Sequence, residues 1–272
     1  MPVSAWNKPP GSNSGMSRWL AMLGIVLLLA ASGTAAWLAY RQMRADAYDA
    51  ATLCPTAGAT GELAILLDIT DPLGATQSLT LRSDLERMVE ESPRGTLVSL
   101  GRVSDQPDQL GAAYVLCRPM TGAEGGELTR NPRQLDQQFH DRFLRPFQVE
   151  LSGMLDASEA KQSPIMEGLQ ALLAGTAATG VKVEGPRRIV VASDLIQNSA
   201  AMSFYRGQDW SSFKASPDYA RLARNLDGAE ITVFRVPRQD SKIDAAAVDD
   251  FWVRYLDAQG AGKVIVTSLG DL

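Results

Sequence analysis

The sequence predicts a three-layer α/β sandwich with a mostly parallel central sheet and one antiparallel edge strand, preceded by one transmembrane helix. Short apolar runs alternate with amphipathic stretches after residue 61, which is typical of helices packed on both faces of a parallel sheet. One pair of runs is joined by a connection too short for a crossover helix, so this pair should be antiparallel. A run of 22 uncharged residues near the N-terminus predicts the membrane helix.

Composition and charge narrow the function classes. The chain is 45% hydrophobic and 21% charged, which is typical of a globular protein. Its formal net charge of −5 gives no electrostatic basis for binding nucleic acid. The only histidine is His140, which argues against a His-rich metal site and against a Ser-His-Asp triad.

The uncharged run at 19–40 predicts a single-pass membrane anchor. As a helix it would rise by ~33 Å, enough to cross a hydrocarbon core of ~30 Å. Trp19 at one end and Trp37 and Tyr40 at the other suit the two membrane interfaces. A cleaved signal peptide is the alternative, because the small residues 31–36 could hold a cleavage site, but the apolar run continues beyond them.

The flanking segments bear on which side of the membrane the domain lies. Basic residues are nearly balanced across the helix, so the positive-inside rule does not decide the orientation. Residues 1–18 are rich in Pro, Gly, Ser and Asn and predict a short disordered tail. Both cysteines follow the helix. We therefore expect an inner (plasma) membrane protein whose C-terminal domain is extracytoplasmic, or periplasmic.

The membrane helix also contains two small-x-x-x-small steps, Ala31 to Ala35 and Ser32 to Ala36. Such steps let two helices approach closely. Homodimerisation through residues 19–40 is therefore a hypothesis, although alanine is also common in membrane helices that do not pair.

Residues 41–61 predict a tether, helical at first and then loop-like, and residues 62–272 a single domain. Its first strand, 62–69, is almost continuously apolar, as expected of a strand buried on both faces. The turn-rich SDQPDQLG separates two further strands and makes them an antiparallel hairpin. The remaining strands follow the same apolar pattern, so that strands after the first are predicted at 96–103, 112–119, 187–194, 229–237 and 263–269.

Helices are predicted between these strands from apolar residues at helical spacing, such as Leu81, Leu85 and Val89. The longest amphipathic stretch should be interrupted near Pro146, because proline breaks a helix interior. Another begins with Pro164 in its first turn, where proline is favoured. The predicted helices span 78–92, 132–155, 164–177, 216–226 and 244–261.

Polar residues stand where three of these elements meet the carboxyl edge of the sheet, the edge at which α/β proteins bind ligands. They follow the first strand, open the helix at 164 and follow the strand at 187–194. Carboxylate and hydroxyl oxygens in this number suit a hard cation such as Mg²⁺. The candidate ligands are Asp68, Thr70, Ser163 and Asp194, with possible support from Asp71, Ser193 and Asn198.

This pattern resembles the von Willebrand factor A-like family over most of residues 62–272. That family holds a divalent cation with an Asp-x-Ser-x-Ser loop, a threonine and an aspartate from three loops. Asp68 and Thr70 are similar to the first two ligands, Ser163 to the threonine, and Asp194 to the aspartate of the third loop. The resemblance implies a protein-binding module, part of a membrane or envelope assembly, whose metal accepts an acidic group of the partner.

One position departs from the family pattern. The third residue of the first loop is Pro72, which has neither a hydroxyl group nor an N–H group. Asp71 is its neighbour, but an adjacent residue points in a different direction. A degenerate site that has lost its metal is therefore an alternative for this chain. The family also contains members whose domain serves only to bind proteins.

Simpler interpretations remain for the same residues. Asp68 and Asp194 could cap the helices that follow them, Ser163 could be the N-cap before Pro164, and Asp71 could form a turn with the proline that follows it. His140 is expected to be a surface or packing residue.

An enzymatic alternative is a haloacid-dehalogenase-like, Mg²⁺-dependent phosphatase. Asp68 would be its nucleophile and Thr70 its helper, with Ser99 after the second strand. The acidic pair that such an enzyme needs could only be Asp249 and Asp250, which lie inside a predicted helix, and the expected lysine before Asp194 is missing.

The two cysteines predict a disulfide. Cys54 precedes the first strand and Cys117 ends the antiparallel one, so both should lie at the amino edge of the sheet. A bridge between them would close a loop of about 60 residues. Two separate buried thiols are the alternative, and an oxidising compartment favours the bridge.

Overall fold

The computed structural model describes residues 14–45, 47–125, 131–156, 160–237 and 242–269. The chain divides into two compact units between Ala47 and Tyr48. The first contains helix α1, Ser14–Ala45, which extends beyond the predicted span 19–40 at both ends. Its large apolar side chains, among them Trp19 and Leu20, are exposed. Residues 1–13 of the predicted tail lie outside the described residues.

Side chains of α1 are described at 19–20 and 22–38. Among the residues that the structure describes, no helix is both long enough and apolar enough to cross a membrane.

The second unit is built around a six-stranded sheet in the order β3-β2-β1-β4-β5-β6. Only the pair of β2 and β3 is antiparallel, and every other neighbouring pair is parallel. The predicted sheet, mostly parallel with one antiparallel edge strand, is therefore confirmed. The strands are β1 Gly61–Leu67, β2 Thr96–Arg102, β3 Gly111–Cys117, β4 Arg187–Ser193, β5 Glu230–Arg235 and β6 Lys263–Ser268.

Helices cover both faces of this sheet. Every residue of β1 is buried, because alternate side chains enter the two cores. Leu63 and Ile65 pack with one set of helices, and Ala64 and Leu66 with the other. The first set is α2 Ala75–Glu90, α3 Pro132–Phe139 and α4 Arg145–Leu155; the second is α5 Ile165–Ala178, α6 Trp210–Lys214, α7 Pro217–Arg221 and α8 Ala245–Ala258.

Two of the predicted helices are divided or shortened in the structure. The predicted interruption of 132–155 is confirmed: a π-helical turn, His140–Leu144, separates α3 from α4, and the Arg145 N–H donates to the carbonyl of His140. The helix predicted at 216–226 is shorter, because the chain after α7 turns inward to bury Leu222 and Leu226. Helix α6 was not predicted, although Asp209 and Ser212 form a capping box at its start.

The chain enters the second unit at the amino edge of the sheet and is fastened there. Cys54 and Cys117 form the predicted disulfide, with their Cα atoms 4.7 Å apart. The Cys117 N–H donates to the carbonyl of Thr52 at 2.8 Å, and Arg142 donates to the carbonyl of Ala50 at 2.5 Å. The end of the tether is thus held to β3 by both covalent and hydrogen bonds.

Candidate functional site

The candidate site lies at the carboxyl edge of the sheet, where β1 and β4 are neighbours. The strand order reverses at this pair, and ligands of doubly wound α/β proteins bind at such a switch point. Asp68 directly follows β1, Ser193 ends β4 and Asp194 follows it. The register brings the two strand ends together, since Leu67 pairs with Ala192 and the Asp68 N–H donates to the Ala192 carbonyl.

Asp68 is the most deeply buried carboxyl group of the site, with 6% of its surface exposed. The Thr70 hydroxyl donates to its Oδ1 at 2.9 Å, and the Ser193 hydroxyl donates to its Oδ2 at 2.6 Å. Burial raises the pKa of Asp68, while these hydrogen bonds and the nearby Ser163 hydroxyl favour the charged form. The Ser163 hydroxyl itself is buried and makes no hydrogen bond of normal geometry with any of the described residues.

Asp194 is half-buried beside Asp68. Burial and the negative charge of Asp68 raise its pKa from 3.8 to about 7. The Ile196 N–H, which donates to Oδ1 at 2.8 Å, and the charge of Arg235 oppose that shift. Burial, with the charge of Asp68 as the second cause, therefore brings the pKa of Asp194 into the neutral range, where its protonated and ionised forms are both populated.

Backbone contacts hold the second and third loops together. Ser163 and Asn198 exchange two backbone hydrogen bonds, at 3.0 and 2.9 Å. The buried amide of Gln197 accepts from the Met166 N–H at 3.0 Å and donates to Glu167 at 2.9 Å. The first turn of α5 is thereby fixed against the loop that carries Asp194.

Helix α8 holds the third loop from the other side. The Trp252 indole N–H donates to the carbonyl of Leu195 at 2.7 Å. Leu195 has a φ of 65°, a left-handed conformation that is uncommon for leucine, and its side chain is buried. This turn directs the chain away from β4 immediately after Asp194.

The structure brings five of the seven predicted residues into one cluster: Asp68, Thr70, Ser163, Ser193 and Asp194. Asn198 contributes through its backbone, while its side chain accepts from the Ser203 hydroxyl at 2.8 Å. Asp71 is exposed and lies outside the buried cluster.

The capping interpretations of Asp68 and Ser163 are wrong. The N-caps of α2 and α5 are Gly74 and Pro164, and the Asp68 carboxyl is bonded by hydroxyl groups of its own cluster. The Asp194 carboxyl accepts from the N–H group two residues ahead, within its own loop.

The donor set fits a hard cation in chemistry. It consists of two carboxyl groups and three hydroxyl groups, all oxygen, and one buried hydroxyl, that of Ser163, has no partner at normal hydrogen-bond geometry in the described part of the chain. No group of three or more His, Cys, Asp or Glu side chains placed to hold a metal occurs among the described residues.

Asp68 and Thr70 of the phosphatase alternative lie in this cluster, but its other three residues, Ser99, Asp249 and Asp250, do not. Ser99 lies in the middle of β2 and not after it, and its buried hydroxyl has no hydrogen-bond partner within the described ranges. Asp249 is ion-paired with Arg235, and Asp250 pairs with Arg254 at 2.8 Å on the exposed side of α8.

Sequence reasoning missed Gln197, Trp252 and Arg235. Gln197 and Trp252 form hydrogen bonds with residues 31 and 57 positions away along the chain, and a local sequence pattern does not predict such contacts. Arg235 lies within the strand predicted at 229–237 and ends β5 at the same edge as Asp194, which was the available signal.

Comparisons with known proteins do not identify a family for this chain. No protein-family model matches the sequence, and no curated protein is similar to it. The human COPII-coat protein Sec24c is similar in structure, with 11% identity and a TM-score of 0.40, over 78% of this chain and 29% of that chain. The chain thus spans less than a third of that protein's length, at a similarity too low to support an inference about function.

Proposed function

We propose that this chain is a membrane-anchored, extracytoplasmic protein-binding module of the von Willebrand factor A-like type, which docks its partner at the carboxyl edge of the sheet. The observation that carries the proposal is the cluster around Asp68 at the β1–β4 switch point. Asp68, Ser163 and Asp194 come from three separate loops. Carboxyl groups whose pKa values are raised at such an edge are typical of binding sites.

The membrane part of the proposal rests on the sequence, in which residues 19–40 form a run of 22 uncharged residues. The disulfide is consistent with an oxidising, extracytoplasmic compartment. The tether joins the domain at the amino edge, near Cys117, whereas the cluster lies at the carboxyl edge. The docking surface is therefore at the end of the sheet opposite the point of attachment.

The proposal includes Mg²⁺, which Asp68, Thr70, Ser163 and Asp194 would bind as its ligands. When bound, a cation of this kind supplies a coordination position for an acidic side chain of the partner protein. Without it, the same residues still offer hydrogen bonds at the docking edge.

Site-directed photo-crosslinking in intact cells tests the docking edge. Tyr205 is 58% exposed and lies within electrostatic reach of Asp194, so a photoreactive phenylalanine analogue at this position should crosslink the partner. Val253 on α8, 57% exposed, is the matched control. We expect a discrete adduct from position 205 that weakens at least about tenfold in the Asp194→Asn background. An adduct from position 253 with none from position 205 would place the partner elsewhere.

A further inference from the structure

A second cavity lies at the amino edge of the sheet, opposite the candidate docking edge. Its volume is about 360 Å³, and it is enclosed by the start of β1, the end of α5 and the loop before β5. Leu173, Ala177 and Val181 contribute apolar surface, and Glu62, Arg224 and Asn225 contribute polar groups. The size and the mixture suit a small organic ligand with a few fixed polar contacts.

Glu62 is a buried carboxyl group with few partners. Only 9% of the residue is exposed, and among the described residues its one ion-pair contact is the Nε of Arg187 at 3.3 Å. Arg187 also bonds Asp227 through Nη1 at 2.5 Å, so its charge is shared between two carboxylates. Burial raises the pKa of Glu62 against the attraction of Arg187 and Arg224. The Glu62 carboxylate is incompletely hydrated, so a cationic group of a ligand would gain a hydrogen-bond acceptor there.

Arg224 supplies the opposite charge. Its guanidinium makes one long contact, 3.4 Å to the carbonyl of Leu173, and no ion pair within 4.0 Å occurs between it and the described residues. The nearby Lys182 and Glu184 neutralise each other at 2.5 Å. Since the Arg187 Nε lies at Oε2 of Glu62 and its Nη1 is bonded to Asp227, the pocket presents the other carboxylate oxygen of Glu62 and the Arg224 guanidinium to a ligand.

We propose that this pocket binds a zwitterionic α-amino acid with an apolar side chain, its ammonium group at Glu62, its carboxylate at Arg224 and its side chain against Leu173 and Val181. A ligand with only one charge would leave either Glu62 or Arg224 without its added partner. Charge-assisted hydrogen bonds to both groups favour the zwitterion over either singly charged analogue.

Isothermal titration of the full-length chain in detergent micelles tests this assignment with three probes of similar apolar body. L-leucine has both charges, protonated L-leucinamide only the cation, and 4-methylpentanoate only the anion. We expect L-leucine to bind at least about tenfold more tightly than either analogue. Equal binding of one analogue, or no heat from L-leucine up to about 10 mM, would overturn the proposal.

Variants of the pocket localise the binding. Glu62→Gln should weaken L-leucine binding at least about tenfold, and Glu184→Gln, at an exposed carboxylate of the same edge that does not line the cavity, should not. Ala177→Trp fills the cavity from an exposed position of α5 and should abolish binding without disturbing the core. Binding that survives in a folded Ala177→Trp variant would show that the pocket is not the site.

Discussion

The buried acidic groups at the two edges of the sheet have different neighbours. At the amino edge, Glu62 has the guanidinium of Arg187 beside it, and a disulfide fastens the incoming chain to β3. At the carboxyl edge, the Asp68 carboxyl accepts hydrogen bonds from the Thr70 and Ser193 hydroxyl groups and from the Thr70 backbone N–H, and Asp194 lies next to it with its pKa raised to about 7. Repelling carboxyl groups cost stability, and such groups are concentrated at functional sites. The amino edge therefore places a cation beside its buried carboxyl group, whereas the carboxyl edge keeps two carboxyl groups close together, which is the arrangement on which the proposed docking site rests.

Removing the disulfide should cause the largest loss of stability, because it breaks the amino edge. In Cys54→Ser/Cys117→Ser the unfolded chain regains the freedom of a loop spanning a sequence separation of 63 residues, which lowers the free energy of unfolding by ~4 kcal/mol. Urea unfolding of the variant and the wild type measures the difference. A loss below about 1 kcal/mol would mean that the hydrogen bonds accepted by the Thr52 and Ala50 carbonyls suffice to hold the tether.

The pH dependence of stability should distinguish the carboxyl edge. The folded-state pKa of Asp194, about 7, lies above its ordinary value of 3.8, so between these values the folded protein keeps a proton that the unfolded chain has lost. The free energy of unfolding therefore falls as the pH rises from about 4 to about 7, by up to ~1.4 kcal/mol per pH unit. Asp194→Asn should remove this contribution and be more stable than the wild type above pH 7.

Chemical unfolding at several pH values measures both proteins. Asp250→Asn is the control, because Asp250 is an exposed carboxylate paired with Arg254. Asp68 and Glu62 also have raised pKa values and act in the same direction, so the difference between variants is the quantity that counts. Identical slopes in the wild type and Asp194→Asn would contradict the prediction.

The same samples test the metal. Binding of Mg²⁺ requires ionised carboxylates, so it should stabilise the wild type most above pH 7, by ~2.7 kcal/mol at a hundredfold excess over Kd, and should not stabilise Asp194→Asn. If the wild type does not respond at any pH, the docking edge works without a cation.

Local patterns were enough for the sheet and for the positions of the acidic groups. Continuous apolar runs marked the buried strands, and the short connection between β2 and β3 fixed the one antiparallel pair. Asp68 and Asp194 were identifiable because each directly follows such a run. The contacts that orient them were not, since Gln197 and Trp252 reach across from other elements. The π-helical turn before Pro146 could be predicted only in part. The proline predicted an interruption of the helix, but not a π-helical turn in which Phe143 and Leu144 are buried.

Two buried serines offer the smallest and most closely matched comparison. Ser193 ends β4 and Ser99 lies within β2, the two strands that flank β1, and neither is accessible to solvent. The Ser193 hydroxyl donates to Asp68 at 2.6 Å and accepts from the Leu195 N–H at 2.7 Å, whereas the Ser99 hydroxyl has no hydrogen-bond partner among the described residues.

The substitution to alanine should therefore have different effects at the two positions. Ser193→Ala leaves a carboxyl oxygen and a backbone N–H short of a partner, which should lower the free energy of unfolding by ~1–3 kcal/mol. Ser99→Ala removes an unsatisfied buried hydroxyl and should be neutral or stabilising by up to ~1 kcal/mol. Urea unfolding at one pH compares the pair under identical conditions. Equal losses at both positions would mean that the hydroxyl groups around Asp68 contribute nothing beyond packing, and that the carboxyl edge is not held in a preset geometry.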